Sequence, residues 1–153
     1  MNYPEVLAYL DRLGNEVQTM KFGLETTRAI LRRLGNPQEG FPSILVAGTN
    51  GKGSVASFLH QVLSSSGRVS RVFTSPHLER IEERIRIGDE SVSEAEFSGS
   101  FSTVLEAVRA LDLELHPTFF ELITCAALNC FAMRKVDVAV LEVGMGGRLD
   151  STN

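Results

Sequence analysis

The 153-residue chain has only two cysteines, no run rich in Lys or Arg, no apolar stretch of membrane-spanning length, and no internal repeat or low-complexity segment. Each absence excludes a class. Cys125 and Cys130 lie in one apolar segment without C-x-x-C spacing or a nearby His, so they are read as buried thiols in a reducing compartment rather than a zinc site. The net charge of −4 lacks the basic footprint that nucleic acid or an anionic membrane would demand, so any phosphate must be held locally. The N-terminal stretch MNYPEVLAYLDRLG is acidic and has no basic flank before an apolar run, which argues against a leader peptide. A soluble, cytoplasmic protein is the expectation.

With 43% apolar and 22% charged residues, the composition is that of a chain with one packed core and one domain. Apolar residues at helical spacing predict helices over 4–13, 24–34, 54–66, 93–111 and 118–133. In the third of these, Val55, Phe58, Leu59 and Val62 form the periodic set. Ser93 with Glu96, and Thr118 with Glu121, have the form of capping boxes that open the last two. Strands are predicted at 43–47, 71–74 and 136–143, the first buried on both faces and the last, VDVAVLEV, central to the sheet. Residues 76–88 read as a surface segment with a short strand near its end. This order predicts an α/β fold with a mostly parallel, P-loop-type sheet flanked by helices. The ten residues after 143 are loop, so the chain is expected to be cut short, leaving an edge or face of its last strand uncovered.

The chemistry concentrates in GTNGKGS at 48–54, between a strand and a helix. Backbone N–H groups of a Gly-rich turn, a helix N-terminus and the Lys52 ammonium together form an anion cradle. The match to G-x-x-x-x-G-K-[ST] is imperfect, because Val46 takes the early glycine position and Gly53 the hydroxyl position, with the hydroxyl displaced to Ser54. Glu142, at the carboxyl end of the last strand, is a carboxylate that needs a cation or donors, and Mg²⁺ beside a nucleotide phosphate would supply the cation. Gly144, Gly146 and Gly147, with Arg148 and Asp150, form a second loop at that sheet end. His77 reaches it too and is read as a structural or surface residue rather than a ligand, while Asp137 at the opposite end is read as structural.

GTNGKGS at 48–54, TSPHL at 74–78 and LEVGMGGRLDSTN at 141–153 together resemble the N-terminal ATPase region of folylpolyglutamate synthase and dihydrofolate synthase, within the Mur ligase superfamily. KFGLE at 21–25 and TFFE at 118–121 extend the resemblance over almost the whole chain. It implies an ATP- and Mg²⁺-dependent amide ligase that joins L-glutamate to a pteroate or folate through an acyl phosphate. By motif position, Thr49, Asn50, Gly51, Lys52, Gly53 and Ser54 would cradle ATP, with Lys52 on the terminal phosphates. Ser75 and Glu142 would be metal ligands. Thr118, Phe119, Phe120 and Glu121, with Leu149, Asp150, Ser151, Met20 and Lys21, would line the pterin site.

Proteins of this kind carry a further His metal ligand, a carbamylated Lys, more sheet strands and a C-terminal domain, none of which is present in these 153 residues. The chain is therefore expected to be the N-terminal part of such an ATPase domain, poorly soluble or oligomeric and inactive by itself, and monomeric at full length. Two alternatives remain open: a Mur-type ligase for another carboxylate, such as a muramyl precursor, and a nucleotide-binding module without catalysis.

Overall fold

Reciprocal caps fix where three of the helices begin. In the computed structural model, which describes residues 1–14, 23–111 and 116–153, helix α1 spans Tyr3–Arg12, α2 Glu25–Arg33, α3 Lys52–Ser65, α4 Glu94–Arg109 and α5 Phe119–Met133. The Ser93 hydroxyl accepts from the Glu96 N–H at 3.2 Å while the Glu96 carboxylate accepts from the Ser93 N–H at 3.0 Å. Thr118 and Glu121 repeat the exchange at 3.2 and 2.7 Å. A third box, not anticipated from the sequence, joins Asn2 and Glu5 ahead of α1.

Among the described residues the sheet has five strands, β1 Ser43–Val46, β2 Ser70–Phe73, β3 Ile85–Ile87, β4 Glu90–Ser91 and β5 Val138–Glu142, in the order β1-β5-β2-β3-β4. β5 runs parallel to both β1 and β2, whereas β3 and β4 add antiparallel at the far side. The expected mostly parallel α/β sheet is therefore present, with β5 central. Two expectations fail. β5 is not left uncovered, because both its edges are paired and all five of its residues are buried. β1 is the edge strand among the described residues, with Ser43, Ile44 and Leu45 exposed rather than buried on both faces.

Alternation along β2 and β5 divides the core. Val46, Val72 and Val140 pack under α3 through Ala56, Leu59 and Leu63. Phe73, Ala139 and Leu141 face the other way, into the larger cluster with α5. Of the periodic set expected to seat α3, only Leu59 does so; Phe58 is 71% and Val62 68% exposed. α5 is buried from Glu121 to Phe131, as expected of a helix that is apolar all round, with α2 and α4 on its outer side. α1 closes over α4 through edge-to-face pairs, Tyr3 with Phe97 and Tyr9 with Phe101. Cys125 and Cys130 are free and buried, and burial pushes both thiols up.

One core residue is at odds with its surroundings. Arg71 of β2 is 4% exposed, its Nε and Nη1 have no hydrogen-bond partner among the described residues, and burial lowers its guanidinium to about 10. The folded state thus holds this proton less tightly than the unfolded chain, so the penalty is full below about pH 10 and eases only above it. Arg71→Met should raise the stability by about 1 to 3 kcal/mol, equally at pH 6 and pH 8. Urea denaturation measures this, and a lower midpoint would show that the guanidinium contributes favourably where it lies.

Candidate functional site

Parallel pairing brings three loops to one end of the sheet. β1, β5 and β2 lie side by side with Val46 opposite Glu142 and Phe73 opposite Leu141, so the segments following all three strands emerge together. That is the end of an open α/β sheet where ligands collect.

The turn after β1 is shaped for an anion. Gly48 and Gly51 take φ of 152° and 72°, conformations that residues with a Cβ rarely adopt, and Gly51 leads directly into α3. Asn50 and Ser54 are exposed, as is Thr49, so the concavity is open to a ligand. Lys52 is the first residue of α3, and its side chain passes close to Gly48. Its charge adds to the partial positive charge of the helix N-terminus. No N-cap side chain occupies that end of α3.

Glu142 is buried at 5% exposure and faces this turn. A Cβ added at Gly53 would stand 3.4 Å from its Oε2, so the absence of a side chain at 53 lets the carboxylate sit against the start of α3. The Ser75 N–H donates to the same Oε2 at 3.0 Å. Glu142, Ser75 and the phosphate turn are thereby brought together, as expected. A single buried carboxylate with one hydroxyl close by suits Mg²⁺, which keeps waters and takes its other ligands from phosphate. It does not suit a metal caged by protein alone, and among the described residues no group of three or more His, Cys, Asp or Glu could hold one. The donor set fits Mg²⁺ on those terms.

The segment after β2 is held by several contacts. Glu83 accepts from the N–H groups of Leu78, Glu79 and Arg80 at 2.8, 3.2 and 2.9 Å. The Leu78 and Arg80 N–H groups, in that order, hold its carboxyl below the usual range. The loop should therefore keep this tie above the ordinary carboxylate range and lose it in acid. Arg84, which carries no motif signal, is 2% exposed and donates from Nε to His77 Nδ1 at 2.8 Å. His77 is thus engaged by structure, as read from the sequence.

The TFFE segment divides its labour. Thr118 and Glu121 cap α5, Phe119 lies under the Arg84 guanidinium at 5.2 Å, and Phe120 packs against Phe73 at 6.0 Å. A Cβ at Gly144 would fall 2.6 Å from the Phe120 ring, so glycine there admits the aromatic. In the loop after β5, the Asp150 carboxylate accepts from the Met145 N–H at 2.8 Å, the Thr152 N–H at 3.0 Å and the Thr152 hydroxyl at 2.6 Å. It organises the loop from within. The Ser151 hydroxyl accepts from Thr27 Oγ1 at 3.1 Å, tying the loop to α2, while Leu149 remains 46% exposed. Thr27 had no sequence signal. Met20 and Lys21 lie outside the described residues.

No protein-family model matches the chain. Individual proteins do. A folylpolyglutamate synthase of Lacticaseibacillus casei is 40% identical over 156 aligned residues, covering all of this chain and 36% of that protein. The crystal structure of folylpolyglutamate synthase from Thermotoga maritima superposes with a TM-score of 0.88 at 43% identity, over 98% of this chain and 35% of that one. A bifunctional folylpolyglutamate synthase/dihydrofolate synthase solved with Mn, AMPPNP and L-glutamate bound gives a TM-score of 0.86 at 37% identity, over 99% of this chain and 35% of that one. In sequence and in fold, the chain is therefore similar along its whole length to folylpolyglutamate synthases and dihydrofolate synthases, and spans about a third of the length of those proteins.

Proposed function

We infer that the chain is the N-terminal, nucleotide-binding part of an ATP-dependent carboxylate–amine ligase of the Mur ligase type that adds L-glutamate to dihydropteroate, to folates, or to both. The observation that carries this is the buried Glu142 carboxylate, set against the first turn of α3 and bonded to Ser75 at the mouth of a lysine-bearing phosphate turn. The nucleotide, Mn and glutamate bound by a similar protein support the same assignment.

In that reaction the N–H groups of residues 49–54 hold the ATP phosphates and Lys52 meets the terminal ones. A carboxylate oxygen of the pteroate or folate attacks the γ-phosphorus, the bond to the β-phosphate oxygen breaks, and ADP leaves. The glutamate amine then attacks the acyl carbon, phosphate departs with the C–O bond pair, and the amine loses a proton. Glu142 and Ser75 would hold Mg²⁺, which would supply charge neutralisation at the phosphates. Phe119 and Phe120 give the pterin site its aromatic side, and Thr118 and Glu121 fix that side by capping α5. Leu149 and Ser151 extend the pterin site from a loop that Asp150 shapes, and Met20 and Lys21 complete the proposed set. Such an enzyme works as a cytoplasmic monomer on small molecules, without nucleic acid or membrane. The charge of −4, without a basic run, is in keeping with small-molecule substrates.

The direct test is glutamate incorporation by the complete gene product with ATP and Mg²⁺, offered dihydropteroate and tetrahydrofolate separately. Incorporation into at least one, with one ADP formed per bond, is expected; ADP formation with neither would redirect the assignment to another carboxylate substrate. Lys52→Ala should weaken ATP binding at least tenfold, the equivalent of about 1.5 to 3 kcal/mol for a charge-assisted contact, with the melting temperature unchanged. Calorimetry that returned the same ATP affinity would rule out the phosphate-turn assignment. Glu142→Gln keeps shape and removes charge, so it should preserve folding and abolish Mg²⁺-dependent turnover. Normal turnover of that variant at limiting Mg²⁺ would exclude Glu142 as a ligand.

A further inference from the structure

We propose that Arg84 is a positioning residue that locks the metal side of the site to its aromatic side. The proposal rests on the ligase reading above and adds a residue that none of the site motifs contains. Three contacts on one residue carry it. The Arg84 carbonyl accepts from the Thr74 N–H at 2.9 Å, at the start of the segment following β2. Its Nε donates to His77 Nδ1 at 2.8 Å, three residues further along. Its guanidinium lies 5.2 Å over the Phe119 ring. Between the first two contacts sits Ser75, whose N–H donates to Glu142 at 3.0 Å. A continuous chain of contacts therefore runs from Phe119 through Arg84 and the 74–77 segment to the carboxylate assigned to the metal.

The chemistry of the residue suits this role. A guanidinium is planar, so it can lie flat on an aromatic face while its edge donates in plane, and Lys can reproduce neither the fork nor the stacking. Arg84 is 2% exposed, so solvent does not compete for these contacts. The Nε–H can only donate, which requires His77 Nδ1 to accept and fixes the ring as the Nε2–H tautomer. His77 and Phe119 both line a cavity of about 480 Å³, together with Tyr3, Leu7 and Arg80, so the clamp also sets one wall of that space. Positions of reacting groups matter steeply to rate, which is why a buried residue touching neither phosphate nor metal can govern both.

Arg84→Met and Arg84→Lys in the complete gene product test the proposal against Ser100→Ala. The control removes a buried hydrogen bond, from Ser100 Oγ to the Ala126 carbonyl at 2.7 Å, between α4 and α5 and away from the site. Both Arg84 variants should raise the half-saturating Mg²⁺ for ATP binding and the KM for the folate substrate at least fivefold. The control should lower thermal stability and leave both constants unchanged. Ring ¹⁵N spectra of His77 at pH 7 should show the Nε2–H tautomer in the native protein and a mixture in Arg84→Met.

If the tautomer is freed but the Mg²⁺ and folate constants stay at native values, or if the control shifts them equally, Arg84 merely stabilises the fold and the proposal is overturned. A native protein that binds Mg²⁺-ATP but turns over no folate overturns the ligase reading alone, and the Mg²⁺ constants of the Arg84 variants then decide the present one. A native protein that binds no ATP overturns both.

Discussion

A carboxylate buried at the end of the central strand is the constraint around which this sheet end is organised. Glu142 sits at 5% exposure, and an ionised carboxylate so placed is unfavourable unless donors or a cation meet it. Its surroundings are those a carboxylate requires: the Ser75 N–H, the positive end of α3, and a residue without a side chain at Gly53. On the proposed function, the same three features would leave room for phosphate and a divalent ion between them. The carboxylate that these donors satisfy within the fold would then also be the one that meets the metal.

The rest of the fold works to keep that end rigid. β5 packs under α3 through Val140 and sends Ala139 and Leu141 into the cluster shared with α5, and both of its edges are hydrogen bonded, so Glu142 projects from a strand held on every side. α5 begins at the Thr118–Glu121 box and presents Phe119 and Phe120 at that same end. Phe120 meets Gly144 just past β5, and Phe119 meets Arg84 just before β3. The aromatic side of the site and its charged side are thus joined through packing on both flanks.

Much of the site was legible in the chain because its signals are local. A strand followed by GTNGKGS and a helix is a contiguous pattern, and the boxes at Ser93 and Thr118 are satisfied within four residues. The double role of Thr118 and Glu121, caps that also flank an aromatic pair, was likewise open to anticipation. Other features were not. Val55, Phe58 and Val62 share helical spacing with Leu59, yet only Leu59 faces the sheet, because periodicity marks an apolar stripe and not the direction from which the sheet approaches it. β1 reads as a doubly buried strand by composition, and its exposure follows from its place at the end of the strand order.

By itself the sequence determined the element types, the α/β class, the phosphate turn and the acidic residue at the end of the last strand, since each depends on hydrogen bonds and periodicities spanning a few residues. Only the tertiary structure decided that Glu142 stands across from Val46 and against Gly53. It also decided that Asp150 serves its own loop and that Arg84 links His77 to Phe119. The Asp150 contacts are local to their loop, but the others join residues as far apart as Val46 and Glu142, 96 positions, and exist only once parallel pairing has aligned the strands and α5 has packed across them. No local preference in the chain specifies which of many distant partners a buried charge or ring will meet; the simultaneous packing of both sheet faces does.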